Sequence, residues 1–120
     1  SDGIEYRLQK YFNDKRLEEI YVYEEENKIV GFIWIEKGEG DGVYYIRWLS
    51  VALPYQGRGI GKKLLNFVEE KFDPRILIVE TMKDCPAEKF YEKNGFRKLI
   101  SIEDFYRKGI GKSVFIKYRF

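Results

Sequence analysis

The hexapeptide Gln56-Gly57-Arg58-Gly59-Ile60-Gly61 has the residue types needed to hold an anion. It lies between an extended stretch ending at Val51 and an apolar pattern of helical period formed by Leu64, Leu65, Val68 and Phe72. The first N–H groups of a helix have no partner inside it, and the helix start carries roughly +0.5 of an elementary charge, so a phosphate is hydrogen-bonded and attracted there. Gly57, Gly59 and Gly61 let backbone approach such a ligand closely, and Arg58, Lys62 and Lys63 add cations at the rim. Glycines alone are equally consistent with a loop that needs positive φ at several places.

Two nucleotide motifs nearly match and fail on spacing. A dinucleotide fingerprint needs its third glycine where Lys62 stands, although Glu80 on a later strand would mimic the acid that holds a ribose. A P-loop needs glycine where Gln56 stands, and a second candidate, Gly111-Lys112-Ser113, needs one at Tyr106. Cys85 is read as a small residue at a helix start rather than an acylated nucleophile.

The elements around the hexapeptide follow from the apolar pattern. Ile4, Leu8, Tyr11 and Phe12 predict a short amphipathic helix, closed by the polar Asn13-Asp14-Lys15. Ile20–Tyr23, Ile29–Ile35 and Val43–Val51 are β-branched and aromatic, and predict an antiparallel meander. A helix is expected over Gly61–Phe72, ended by Asp73-Pro74. Ile76-Leu77-Ile78-Val79 predicts a strand buried on both faces that gives the sheet a parallel pair. A second helix starts at Pro86 and stops at Gly95, and strands around Arg97–Phe105 and Ser113–Phe120 flank a turn over residues 108–112. The fold class is therefore α/β, more closely α+β: a mixed, mostly antiparallel sheet with flanking helices, expected as a single domain over residues 1–120.

At this point the chain resembles the GNAT family of N-acetyltransferases, whose pyrophosphate loop reads Gln/Arg-x-x-Gly-x-Gly/Ala. Residues 56–61 satisfy that pattern in full, and Ala87-Glu88-Lys89-Phe90-Tyr91-Glu92-Lys93-Asn94-Gly95-Phe96 looks like the family's second signature, Ala-x-x-Phe/Leu-Tyr-x-x-x-Gly-Phe. The resemblance spans Ile20 to the C-terminus. It implies acetyl-CoA as cosubstrate, held by Leu49, Ser50 and Val51 on a strand that splays from its neighbour, and by Gln56, Gly57, Arg58, Gly59, Ile60, Gly61 and Lys62. It implies that a backbone N–H near Val51 stabilises an oxyanion, typically worth about 2.7–4 kcal/mol in the transition state. It puts Tyr91 where a hydrogen-bond donor or general acid protects the leaving thiolate; a phenol of ordinary pKa near 10 is protonated at neutral pH.

Three departures stand out. The family carries a strand and two helices before the meander, whereas the residues before Glu19 suffice for one helix, so the chain is expected to be a minimal or N-terminally trimmed member. Asp84 stands where many members have an Asn that binds the pantetheine arm, and is alternatively a helix cap. There is no His, so any base is a carboxylate or a relayed water. Deprotonating an alkylamine at pH 7 costs roughly 4.6 kcal/mol, and Glu80 at the end of the buried strand is the candidate base. A surface or salt-bridged Glu80 is the alternative.

Composition bounds the rest. With 22 basic and 20 acidic side chains, the net charge of +2 gives no support for nucleic-acid binding. One Cys and no His leave no zinc set and no internal disulfide, so no metal is expected and a reducing cytoplasm is the expected compartment. No stretch reaches the roughly 18 apolar residues of a membrane span. The expected acceptor is a small-molecule or peptide amine, and a homodimer is an open possibility. The rival readings are a non-catalytic acyl-CoA sensor and an interaction domain that dimerises through its C-terminal strands.

Overall fold

Ile4-Glu5-Tyr6-Arg7-Leu8-Gln9 alternates apolar and polar residues, and the chain there forms a strand where helical spacing had predicted a helix. Ile4 and Leu8 lie four apart, which suits one face of a strand as well as one face of a helix; Tyr6 between them decides for the strand. The computed structural model describes residues 3–9 and 18–120. Tyr11 and Phe12, the other half of the expected helix, lie outside those residues.

The elements are β1 (Gly3–Gln9), β2 (Glu18–Glu25), β3 (Lys28–Lys37), β4 (Val43–Val51), a 3-10 turn (Leu53–Tyr55), α1 (Ile60–Phe72), β5 (Ile76–Met82), α2 (Ala87–Lys93), β6 (Arg97–Arg107) and β7 (Ile110–Tyr118). The strands form one sheet in the order β1-β2-β3-β4-β5-β7-β6. β2 to β4 are the expected antiparallel meander, which β1 extends by one antiparallel strand, and β4–β5 is the expected parallel pair. The final hairpin turns more tightly than expected, on Lys108 and Gly109 with φ +87° at the glycine, so Gly111 and Lys112 belong to β7.

Register explains where the core lies. Tyr21 faces Ile33, Ile35 faces Ile46, Ile46 faces Val79, and Val79 faces Phe115, so one row of side chains crosses five strands on a single sheet face. Against that row pack Ile60, Leu64, Leu65 and Val68 of α1 and Tyr91 of α2. α1 sits close because Gly31 beneath it has no side chain: a Cβ there would lie 3.4 Å from both Ile60 Cγ2 and Leu64 Cδ1. Both helices therefore cover the same face, and the residues between the core positions point the other way.

Candidate active site

The β4–β5 pairing lasts only from Val43↔Ile76 to Ile46↔Val79. Beyond it β4 stays with β3 as far as Val51, while β5 stays with β7 as far as Met82, so a gap opens between them. Ala52 N–H donates to Val30 C=O at 2.7 Å, next to the facing pair Gly31↔Val51. In an antiparallel ladder this makes Gly31↔Val51 a non-hydrogen-bonded pair, so the N–H and C=O of Val51 point away from β3 and into the gap. The alternation gives Leu49 the same orientation. The Val51 carbonyl is occupied by Gln56 Nε2 at 2.9 Å.

A cavity of about 650 Å³ opens on the helix side of this gap. Leu49 and Val51 form its strand wall; Gln56, Gly57, Gly59, Ile60, Gly61 and Lys62 form its loop wall. The glycines there serve two different ends. Gly57 and Gly59 each have φ +81°, a conformation costly for other residues, while nothing in the chain lies within 4 Å of an added Cβ. Gly61 is set by packing, since a Cβ would lie 3.2 Å from Phe90 Cε1 of α2. Gly59, in a left-handed conformation, is the residue before α1, and with Ile60, Gly61 and Lys62 it brings the start of this 13-residue helix, where N–H groups lack partners within the helix, to the cavity wall.

α2 forms the opposite wall. Tyr91 is only 4% exposed, and its ring stands edge-on to Phe90 and Phe96. Burial, with a smaller contribution from the nearby Cys85 thiol, raises its pKa well above the usual phenol value, so the hydroxyl stays protonated. Tyr91 lines the cavity, and no side-chain polar atom among the described residues is both buried and unpartnered.

The other sequence-derived positions fall outside this cavity. Arg58 turns away, over the Tyr55 ring at 5.0 Å and toward Glu25 at 3.6 Å. Ser50 faces Phe32 and so points to the face without helices. Glu80 points the same way, one residue beyond Val79, and pairs with Lys112 at 2.5 Å. Asp84 is exposed with φ +65°, and its side chain makes no cap; instead its backbone N–H donates to Glu88 at 3.0 Å. Tyr55, Lys93 and Asn94, to which the sequence assigns no site role, and Pro86, expected only as a helix start, also line the cavity. Lys93 and Asn94 occupy unspecified positions of the second signature, so no pattern marks them.

Glu88 was also unmarked, and it holds α2 in place. Its carboxylate accepts from Ser113 Oγ at 2.6 Å and from the Asp84 N–H, and pairs with Lys98 at 3.0 Å. Burial opposes the charge, but the hydrogen bonds from Ser113, Lys98 and Asp84 prevail and hold its pKa below the ordinary 4.5.

With this geometry in hand, comparison with known proteins is decisive. Residues 16–98 match the family model described as acetyltransferase (GNAT) domain. The chain belongs to the GNAT acetyltransferase family. Among curated GNAT relatives, the peptidyl-lysine N-acetyltransferase YiaC of Escherichia coli K12 is 33% identical over 63% of this chain and 48% of its own length. The N-acetylaspartate synthetase of Xenopus tropicalis is 31% identical over 74% of this chain and 34% of its own length. The chain thus spans about half or less of these relatives. A GNAT acetyltransferase structure from Desulfovibrio desulfuricans superposes with a TM-score of 0.77 at 26% identity, covering 84% of this chain and 69% of that one. The fold alone is shared with an Elizabethkingia anophelis GNAT acetyltransferase solved with acetyl-CoA bound, at TM-score 0.74 and 17% identity over 99% and 100% of the two chains.

The Glu88 cluster makes a pH-dependent contribution whose sign is fixed. A carboxyl whose folded pKa is lowered stabilises the fold above the unfolded pKa and loses that stabilisation as pH falls through the folded value. Glu88→Gln is expected to cost about 1–2 kcal/mol at pH 7. In paired thermal melts the gap between wild type and variant should close on acidification from pH 6 to pH 3; a gap independent of pH contradicts the assignment.

Proposed function

We propose that this GNAT domain transfers an acetyl group from acetyl-CoA to a primary amine by direct attack, with residues 1–120 acting as one unit. The observation that carries this reading is Tyr91, a largely buried phenol lining a cavity whose other walls are the strand rim at Val51 and the start of α1. The residues fit the cosubstrate. The N–H groups at Gly57–Gly61 and the Lys62 side chain suit a pyrophosphate, and the strand rim at Leu49 and Val51 suits the pantetheine amides, which need backbone partners.

In the proposed reaction the amine nitrogen forms a bond to the thioester carbonyl carbon, and the negative charge passing to the carbonyl oxygen is met by the Val51 N–H. The intermediate collapses with cleavage of the C–S bond, and the thiolate takes the Tyr91 hydroxyl proton, which the solvent later restores. The proton lost by the amine goes to a carboxylate or water on the acceptor side. Glu80 is the proposed base there, and Lys112 beside it keeps its carboxylate oriented. The acceptor amine is a small molecule or a peptide side chain; the lysine-acetylating activity named for the E. coli relative favours the peptide. The proposed compartment is the cytoplasm, and among the described residues no helix is long and apolar enough to cross a membrane.

A second copy of the chain is the proposed partner of β6. All eleven residues of this edge strand are exposed, and its centre carries Leu99, Ile100 and Ile102 at 53%, 49% and 38% exposure with no charge or proline to protect it. Arg97 and Lys98 lie at its start, and Glu103 and Asp104 follow the apolar centre. Two-fold antiparallel pairing of two such strands sets the basic end of each against the acidic end of the other, a self-complementary arrangement.

Three outcomes are expected. Tyr91→Phe should bind CoA within about twofold of wild type by calorimetry while thiol release with lysine peptides falls about a hundredfold. Wild-type binding with no thiol release across peptides, polyamines and small amines would instead favour a sensor. Glu80→Gln should depress the rate most below pH 7.5, and an unchanged pH profile removes Glu80 from the mechanism. In light scattering, wild type should elute at twice 14.4 kDa and Ile100→Lys at 14.4 kDa; a wild-type monomer, or a dimer that survives the substitution, overturns the β6 pairing.

A further inference from the structure

We infer that Gln56 is a positioning residue for acyl transfer: its carboxamide N–H, bonded to the Val51 carbonyl, fixes the strand end whose N–H meets the oxyanion. The inference rests on the proposed acyl transfer. The phosphate turn and the oxyanion donor then share one residue, whose backbone opens the turn and whose side chain reaches back five residues to the strand.

The two peptide planes flanking Val51 are held in different ways. The plane before it carries the Val51 N–H, and Ser50 faces Phe32 in the β3–β4 ladder at a hydrogen-bonded position. The plane after it is held at one end by Ala52 N–H on Val30 C=O at 2.7 Å and at the other by Gln56 Nε2 on Val51 C=O at 2.9 Å. Of these tethers, that from Gln56 alone lies outside the ladder, and it acts at the point where β4 has lost β5.

The bond also has an electrostatic effect. Val51 presents its N–H and its C=O to the same gap, and a bare carbonyl oxygen beside a developing oxyanion is repulsive. Donation from Gln56 satisfies that carbonyl and leaves the N–H as the polar group Val51 offers to the site. The carbonyl can only accept, so the contact fixes the Gln56 amide with its nitrogen toward Val51. Gln56 is itself tethered by its backbone N–H to Leu53 C=O at 3.2 Å, across the 3-10 turn that Pro54 stiffens. Arg, the other residue admitted by the motif at this position, is the other long side chain with a planar N–H donor at its end.

The test compares Gln56→Met, of similar length without a donor, with Gln56→Arg, which restores one. Gln56→Met should lower kcat by about 3- to 10-fold, the effect of one neutral hydrogen bond, with the KM for acetyl-CoA and the calorimetric Kd for CoA within about twofold of wild type. Gln56→Arg should return kcat to within about threefold of wild type. Amide exchange followed by NMR without ligand reads the tether independently of turnover, and should show Ala52 N–H exchanging faster in Gln56→Met than in wild type or Gln56→Arg. A Met variant with wild-type kcat, or one whose loss lies wholly in KM and Kd, overturns the positioning role. If wild type releases no thiol, the acyl-transfer reading fails and the catalytic role of Gln56 with it, while the exchange difference still decides whether the tether exists.

Discussion

The structure depends on a parallel strand pair that is allowed to form for only four residue pairs. β4 and β5 begin side by side at Val43 and Ile76 and part after Ile46 and Val79, while each stays paired with its other neighbour. β3 holds β4 to Val51, and β7 holds β5 to Met82. A sheet interior does not normally tolerate such a break, since each strand rim is left with N–H and C=O groups that water cannot easily reach. In the proposed reaction those unpaired groups supply the oxyanion donor and the partners of the pantetheine amides. The rim of β4 is a ready-made ladder for a ligand with amides of its own, and the single carbonyl that would be unwelcome at its end is taken by Gln56.

The gap is useful only if a second wall stands at the correct distance, and that wall is a helix of seven residues. Such a helix has little stability of its own, so tertiary contacts must hold it. At its start Glu88 gathers the Asp84 N–H, the Ser113 hydroxyl and the Lys98 ammonium, joining α2 to β7 and β6. At its end Gly95, with φ +92°, lets Phe96 N–H return to Tyr91 C=O at 3.0 Å. Tyr91 lies between these two clamps, one turn from Glu88. The ion cluster and the C-terminal turn are thus the means by which a short segment holds one phenol against a cavity.

Much of this was legible in the sequence, and the unread part has a common cause. The Gly-rich turn, the bounds of β4 and the course of α1 depend on residues near one another in the chain, and patterns of period two and 3.6 expose them. The two periods conflict at β1, where Ile4 and Leu8 fit both and only the intervening Tyr6 favours the strand. Glu88 could not be read at all, because its partners Lys98 and Ser113 lie on strands that the fold alone brings beside it. Arg58 and Lys62 look equivalent in the sequence, yet only Lys62 lines the cavity while Arg58 folds back over Tyr55 toward Glu25. The sequence offers Asp84 as a pantetheine partner or a side-chain cap; it lies outside the cavity lining, and its backbone N–H, not its side chain, bonds Glu88.

The alternation of β5 then divides the proposed chemistry between two faces of one sheet. Val79 points to the helices and Glu80 to the opposite side, so Tyr91, the proposed thiolate donor, and Glu80, the proposed base, act from different faces of the sheet. The helix-side cavity is matched to a long donor, bounded by the strand rim, the phosphate turn and α2. An amine arriving from that side would have to share it with the pantetheine arm. Arrival through the gap from the Glu80 face avoids this conflict, and there the thioester carbonyl is approached across the same opening into which Val51 directs its N–H. In the proposed reaction, one interrupted strand pair thus gives the donor and the acceptor separate entrances to a common carbon atom.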